Sequence, residues 1–179
     1  GSDSARKATL EGFTLQNGYA NDGGGAFSGT LRHCLVQNNN AKKGGGVYDC
    51  VVDNCVLANN SASNSGDDDD YKSYGGGAYK SVLANCVLRG NLADYCGGGA
   101  SESELLNCLL TGNVAEYGGG TCDSLLVNCT VTENHADSGG GMAASYDGVI
   151  DSVAYNCIIW GNSAWTATNY DYNAILDWD

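Results

Sequence analysis

The sequence predicts an all-β fold, a parallel β-helix (β-solenoid) of about six to seven coils of ~21 residues each, on three observations. Cysteine returns at Cys34, Cys55, Cys86, Cys108, Cys129 and Cys157, in steps of 21, 31, 22, 21 and 28 residues. Asparagine follows five residues later every time, at Asn39, Asn60, Asn91, Asn113, Asn134 and Asn162, and alanine two residues after that. A Gly-Gly-Gly triplet then opens at Gly23, Gly44, Gly75, Gly97, Gly118 and Gly139. One residue type per slot at a near-constant period marks stacked coils. A helical repeat fits poorly, because three consecutive glycines would disrupt every helix.

The elements of a coil follow in order. An apolar slot stands three residues before each cysteine: Leu31, Val52, Leu83, Leu105, Leu126 and Ala154. Its parity with the cysteine is wrong for one straight strand, so the chain bends between them, at the Asn (His33 in the first case) that precedes the cysteine. The cysteine and the slot two later (Val36, Leu57, Leu88, Leu110, Val131, Ile159) then point inward along one short strand. The slot between them is also apolar (Leu35, Val56, Val87, Leu109, Ile158), and alternation turns it outward, as an interface or a stripe covered by a loop. Asn tolerates left-handed backbone, and its side chain can hydrogen-bond along a stack, so the two Asn ladders mark two corners. The glycine triplet marks a third region, where backbone conformation or close approach excludes a Cβ.

The first coil is a variant, with Phe13 in the cysteine slot, Leu15 in the aliphatic slot, Asn17-Gly18 at the corner and Ala20 in the alanine slot. The last begins at Cys157 and has no triplet. The repeat domain therefore covers residues 10–165. Residues 1–9 read as a cloning scar (Gly1-Ser2) and leader, and 166–179 as a tail or partial last coil. With no capping helix at the N-terminus, the first coil is expected to stack on adjacent coils or domains of a longer parent chain. One insertion, within Ser61 to Tyr74, adds ten residues and contains Asp67, Asp68, Asp69 and Asp70; another adds seven around Ala144 to Ile150. Insertions in solenoids map to surface loops, often on a binding face.

The chain has 179 residues, 27 glycines, no proline and a formal net charge of −13. That charge argues against nucleic acid and anionic membranes as partners, and no segment is apolar and long enough for direct membrane insertion. The six ladder cysteines suit a small buried apolar slot. Rungs lie roughly 4.8 Å apart, and in-register Cβ atoms of parallel strands sit farther apart than a disulfide prefers, so these six are expected as reduced thiols. Replacing a middle member such as Cys108 by Ser is expected to cost about 1–3 kcal/mol, for burying a hydroxyl. Cys50, Cys96 and Cys122 fall in three other slots and are expected at the surface.

The repeated string, seen in Leu88-Arg89-Gly90-Asn91-Leu92-Ala93 and Gly75-Gly76-Gly77-Ala78-Tyr79, resembles the repeats of the polymorphic outer membrane protein family, with Leu, Val or Ile where that family has Phe. Gly12-Phe13-Thr14-Leu15-Gln16-Asn17-Gly18 resembles the opening coil of pectin-lyase-like bacterial surface proteins. The resemblance covers residue 10 to about 165 and implies a right-handed coil on a secreted or surface-displayed bacterial protein with an adhesin-type role.

Chemistry is sparse. A lyase of acidic polysaccharides needs Ca²⁺ carboxylates and a Lys or Arg base. Arg32 and Arg89 lie in different slots, two coils apart, and no acidic cluster is forced beside either. Asp49, Glu102 and Asp123 share a slot three after the triplet with Lys80 and read as a solvated outer row. Asp67 to Asp70 offer hard oxygens for Ca²⁺, the one candidate cofactor, in a spacing that matches no full calcium loop. His33 and His135 occupy different slots and form no metal pair. Aromatic residues gather at the triplets: Phe27, Tyr48 and Tyr79 after it, Tyr74 and Tyr117 before it, with Tyr71 in the insertion. Tyr48, Tyr71, Tyr74 and Tyr79 are the candidate ligand residues, stacked for sugar rings or packed on one another. The sequence thus points to a non-enzymatic extracellular stalk or adhesive surface, with a glycan or a host or surface protein as partner. The alternative is a polysaccharide-binding or polysaccharide-cleaving β-helix.

Overall fold

Two- to four-residue strands separated by left-handed corners can only turn and stack, and they do so here. The computed structural model of the protein describes residues 8–64, 72–144 and 152–165. It is a right-handed parallel β-helix of seven coils. One coil runs through strands Thr30–Arg32, Leu35–Gln37, Asn40–Lys43 and Val47–Tyr48. Each strand pairs in parallel register with its counterparts in the coils before and after, giving three seven-stranded sheets and a fourth of six. The register runs Leu10, Leu31, Val52, Leu83, Leu105, Leu126, Ala154 in the first sheet. In the second it runs Leu15, Val36, Leu57, Leu88, Leu110, Val131, Ile159. Together with the buried cysteines these residues form one continuous core. The ladder alanines Ala62, Ala93 and Ala115 form a second, smaller cluster.

Four corners shape the coil, one more than the three regions expected. The Asn before each cysteine is left-handed (Asn54, φ 52°), as is the first glycine of the triplet (Gly44, φ 62°). The fourth corner is the slot of Asp49, Lys80, Glu102 and Asp123, with φ between 47° and 51°. That slot is therefore a turn position; Asp123 is buried, which corrects the reading of a solvated row at that residue, while Lys80 is exposed and Asp49 and Glu102 are partly so. At the second corner the work is divided. The left-handed residue is the one before the buried Asn (Asn59, φ 54°; Gly90, φ 62°). The buried Asn supplies hydrogen bonds instead. Asn60 Nδ2 donates to Asn91 Oδ1 (3.0 Å) and to the Val36 carbonyl (3.0 Å), and Asn91 Oδ1 also accepts the Asn60 backbone N–H (2.9 Å). Asn39, Asn91, Asn113 and Asn134 repeat this pattern, so each buried amide is satisfied by its neighbours along the axis.

The triplet has a steric cause. A Cβ on Gly45 would run into the Ser61 carbonyl, and one on Gly46 into the Gly77 carbonyl. Only glycine lets the chain pass that close to the next coil.

The cysteine ladder has a polar role as well as an apolar one. Cys34, Cys55, Cys86, Cys108, Cys129 and Cys157 are buried free thiols. Each Sγ donates to the carbonyl two residues earlier, as Cys129 does to Val127 (3.3 Å), and Cys129 Sγ accepts the Cys108 N–H (3.4 Å). The same device recurs after the fourth corner with serine. Ser81 Oγ donates to the Tyr79 carbonyl (2.8 Å), and the Ser81 N–H donates to Ser103 Oγ (3.1 Å). Cys50 belongs to this second column, since its N–H donates to Ser81 Oγ (3.1 Å). It is buried, contrary to the expectation of a surface position.

Candidate functional site

The glycine bend turns two columns toward each other: the residue just before each triplet and the residue two after it, five positions on. Alternation aims both outward. Val47 is buried in the core while Tyr48 beside it turns to the surface. The outcome is a continuous row of rings along the helix axis. Phe27 meets Tyr48 edge-to-face (5.2 Å), Tyr48 meets Tyr79 (5.1 Å) and Tyr79 stacks on Tyr74 (5.6 Å). The row continues from Tyr74 to Tyr95 (5.5 Å) and from Tyr95 to Tyr117 (5.3 Å). Such pairs contribute about 0.5–1.5 kcal/mol each beyond their buried area.

Of the sequence candidates, Tyr48, Tyr74 and Tyr79 meet here, and Tyr71 lies outside the described residues. So do Asp67, Asp68, Asp69 and Asp70, the calcium candidates. Tyr79 is 4% exposed, so its ring supports the row rather than offering a face, whereas Phe27 is 58% exposed. The Tyr79 hydroxyl donates to Glu102 Oε1 (2.7 Å), and Glu102 pairs with Lys80 (3.3 Å). Burial, and then the Glu102 carboxylate, push the Tyr79 hydroxyl far above its ordinary range. Three ammonium groups cover ring faces: Lys80 over Tyr79 (5.1 Å), Lys72 over Tyr95 (5.2 Å) and Lys43 over Tyr74 (6.0 Å).

Sequence reasoning missed Tyr95 and the lysines. The 22-residue step from Cys86 to Cys108 was the available signal. Its extra residue lies in Asp94-Tyr95-Cys96, where coils of standard length have two residues before the triplet. Cys96 takes the register position between Tyr74 and Tyr117, and Tyr95 is pushed out into the row. Cys96 instead bonds Cys122 as a disulfide, with Cα atoms 5.8 Å apart. Both are fully buried, which corrects their expected surface position. The in-register objection to a disulfide does not apply, because these two cysteines stand on different columns that face each other across the glycine bend.

The two arginines that the sequence offered as bases, Arg32 and Arg89, stand on different sheets. Arg32 stands in register between Glu11 and Asp53 on the outside of the first sheet. Arg89 lies on the second sheet beside Ala58 and Thr111. His33 forms a left-handed corner (φ 51°), and His135 Nδ1 meets Ser163 Oγ at 2.8 Å. Neither a known protein family nor a curated protein matches the chain.

Proposed function

We propose that the chain is a non-enzymatic β-helix segment of a bacterial secreted or surface-displayed protein of the polymorphic outer membrane protein type. Its aromatic row is the interaction surface, and the partner is a glycan. One observation carries the reading: six rings run unbroken along the axis at centroid spacings of 5.1–5.6 Å, edged by three lysines. A linear sugar chain lying along the axis would meet exposed rings on three coils. Apolar sugar faces would pack on the exposed parts of Phe27, Tyr48 and Tyr117, and hydroxyls would reach Lys43 and Glu102. Arg32 and Arg89 stand on different sheets, so the two candidate bases do not meet, which supports binding without bond cleavage.

A glycan array, with turnover assays on uronic-acid polymers, tests this. The expected result is retention of a linear glycan without cleavage, reduced at least tenfold in the Phe27→Ala, Tyr48→Ala double variant. Cleavage of any polymer would overturn the non-enzymatic reading. Binding that the double variant leaves intact would remove the aromatic row from it, and binding to no glycan would refute the carbohydrate partner.

A further inference from the structure

The disulfide has a third chemical group beside it. Cys96 Sγ, Cys122 Sγ and a carboxylate oxygen of Asp123 lie within 4.8 Å of one another, and all three residues are buried. Among the described residues they are the one group of three cysteine, histidine or carboxylate donors that converges. We propose that, when the disulfide is reduced, these residues hold one thiophilic divalent cation of the zinc class.

Four observations support the site. First, ligands sharing one tetrahedral zinc stand about 3–4 Å apart, so reduction must let the two bonded sulfurs part by about 2 Å while the Asp123 oxygen already lies within 4.8 Å of both. Second, a buried hydroxyl on the same face lacks a partner. Ser101 pairs in register with Cys122, and its Oγ is fully buried without a hydrogen bond. The hydroxyls of Ser103 and Ser124, in the neighbouring column, donate to backbone carbonyls. An ion, or a water bound to it, would supply the missing partner of Ser101. Third, the donor set selects the metal. Two thiolates and a carboxylate suit zinc or cadmium and disfavour the hard, oxygen-seeking Ca²⁺. Fourth, the ladder thiols do not compete. Six of the seven coils contribute one each, spread along the axis, and the ladder forms no group of three converging donors among the described residues; Cys108 and Cys129 are also pushed up to about 12 and about 11, which raises the cost of deprotonating them. For Cys108 the contact with Cys129 works in the opposite direction and is outweighed by the contact with Cys86 and by burial.

The chemistry balances with an external dithiol as reductant. The dithiol gives two electrons and two protons, leaves as a cyclic disulfide, and yields Cys96 and Cys122 as thiols. The cation then displaces both thiol protons to the solvent and binds the two thiolates and the Asp123 carboxylate.

The full chain is reduced with a water-soluble phosphine, exchanged without oxygen, and titrated with Co²⁺ and then Zn²⁺. One equivalent of Co²⁺ should give thiolate-to-cobalt charge transfer and the visible bands of a tetrahedral ion, erased by one equivalent of Zn²⁺. Oxidised protein should give neither. Cys96→Ala should abolish the signal. Asp123→Asn keeps both sulfurs and a residue tolerant of left-handed backbone, and should weaken Zn²⁺ binding at least tenfold. The proposal is overturned if reduced protein shows no cobalt spectrum, if reduction alone unfolds the chain by circular dichroism, or if Cys96→Ala still binds, which would move the metal to the thiol ladder. Unchanged affinity in Asp123→Asn would equally overturn it.

Discussion

Replacing Cys129 by Ser should harm the protein less than replacing it by Ala, the reverse of what an ordinary apolar core position gives. Cys129 Sγ donates to the Val127 carbonyl and accepts the Cys108 N–H. Ala would delete both contacts, leave the Cys108 N–H buried without a partner and open a small void. An unsatisfied buried donor costs about 1–3 kcal/mol. A serine hydroxyl can make both bonds, since Ser81, Ser103 and Ser124 do so at the equivalent position after the fourth corner. What remains is the lost burial of sulfur, offset by hydrogen bonds with a net value of about 0.5–1.5 kcal/mol each. The expected cost of Cys129→Ser is therefore below about 1 kcal/mol, lower than the 1–3 kcal/mol that a hydroxyl with unknown partners implies. Equilibrium urea unfolding of the two variants, with the Cys96–Cys122 disulfide intact, measures both numbers. A Ser variant that loses more than the Ala variant would show that the column is held by apolar packing alone.

Thiol titration of denatured protein without reductant should find seven free cysteines, because Cys96 and Cys122 are the bonded pair; nine would refute the disulfide, and fewer than six the reduced ladder. Stability should fall as pH rises above about 8.5, the ordinary thiol value, because the unfolded chain releases protons that the folded ladder retains up to about 11 at Cys129, where the Cys108 contact and burial raise it against an opposing contact with Cys157. Unfolding midpoints measured between pH 8 and 10, compared with those of Cys129→Ala, isolate that contribution; an equal slope in the variant would refute it. Gly45→Ala should cost at least about 3 kcal/mol, beyond the usual range for overpacking, because its Cβ meets a backbone carbonyl rather than a flexible side chain. A loss below 1 kcal/mol in urea unfolding would mean that the coils are less tightly stacked than described.

The sequence by itself determined the coil. Its period, its inward slots and its first three corner regions are one-dimensional signals, because each rung repeats the environment of the last. The same residue types therefore recur at Cys34, Cys55 and Cys86, or at Asn60, Asn91 and Asn113. The slot of Asp49, Lys80, Glu102 and Asp123 was legible but its left-handed turn was not, since it mixes carboxylates with a lysine instead of repeating Asn or Gly. The candidate site was legible in part: the sequence gathers Phe27, Tyr48, Tyr74, Tyr79 and Tyr117 at the triplets but not the contacts among them. Tyr74 and Tyr79 are five residues apart, and only the angle at which the glycine bend folds the chain sets their rings 5.6 Å apart. The same bend carries Cys96 of one coil against Cys122 of the next, and the one-residue excess before it puts Tyr95 into the aromatic row. A repeat pattern states which residues stack along the axis. Which columns face each other across a corner depends on backbone geometry at that corner, and tertiary structure alone decided it.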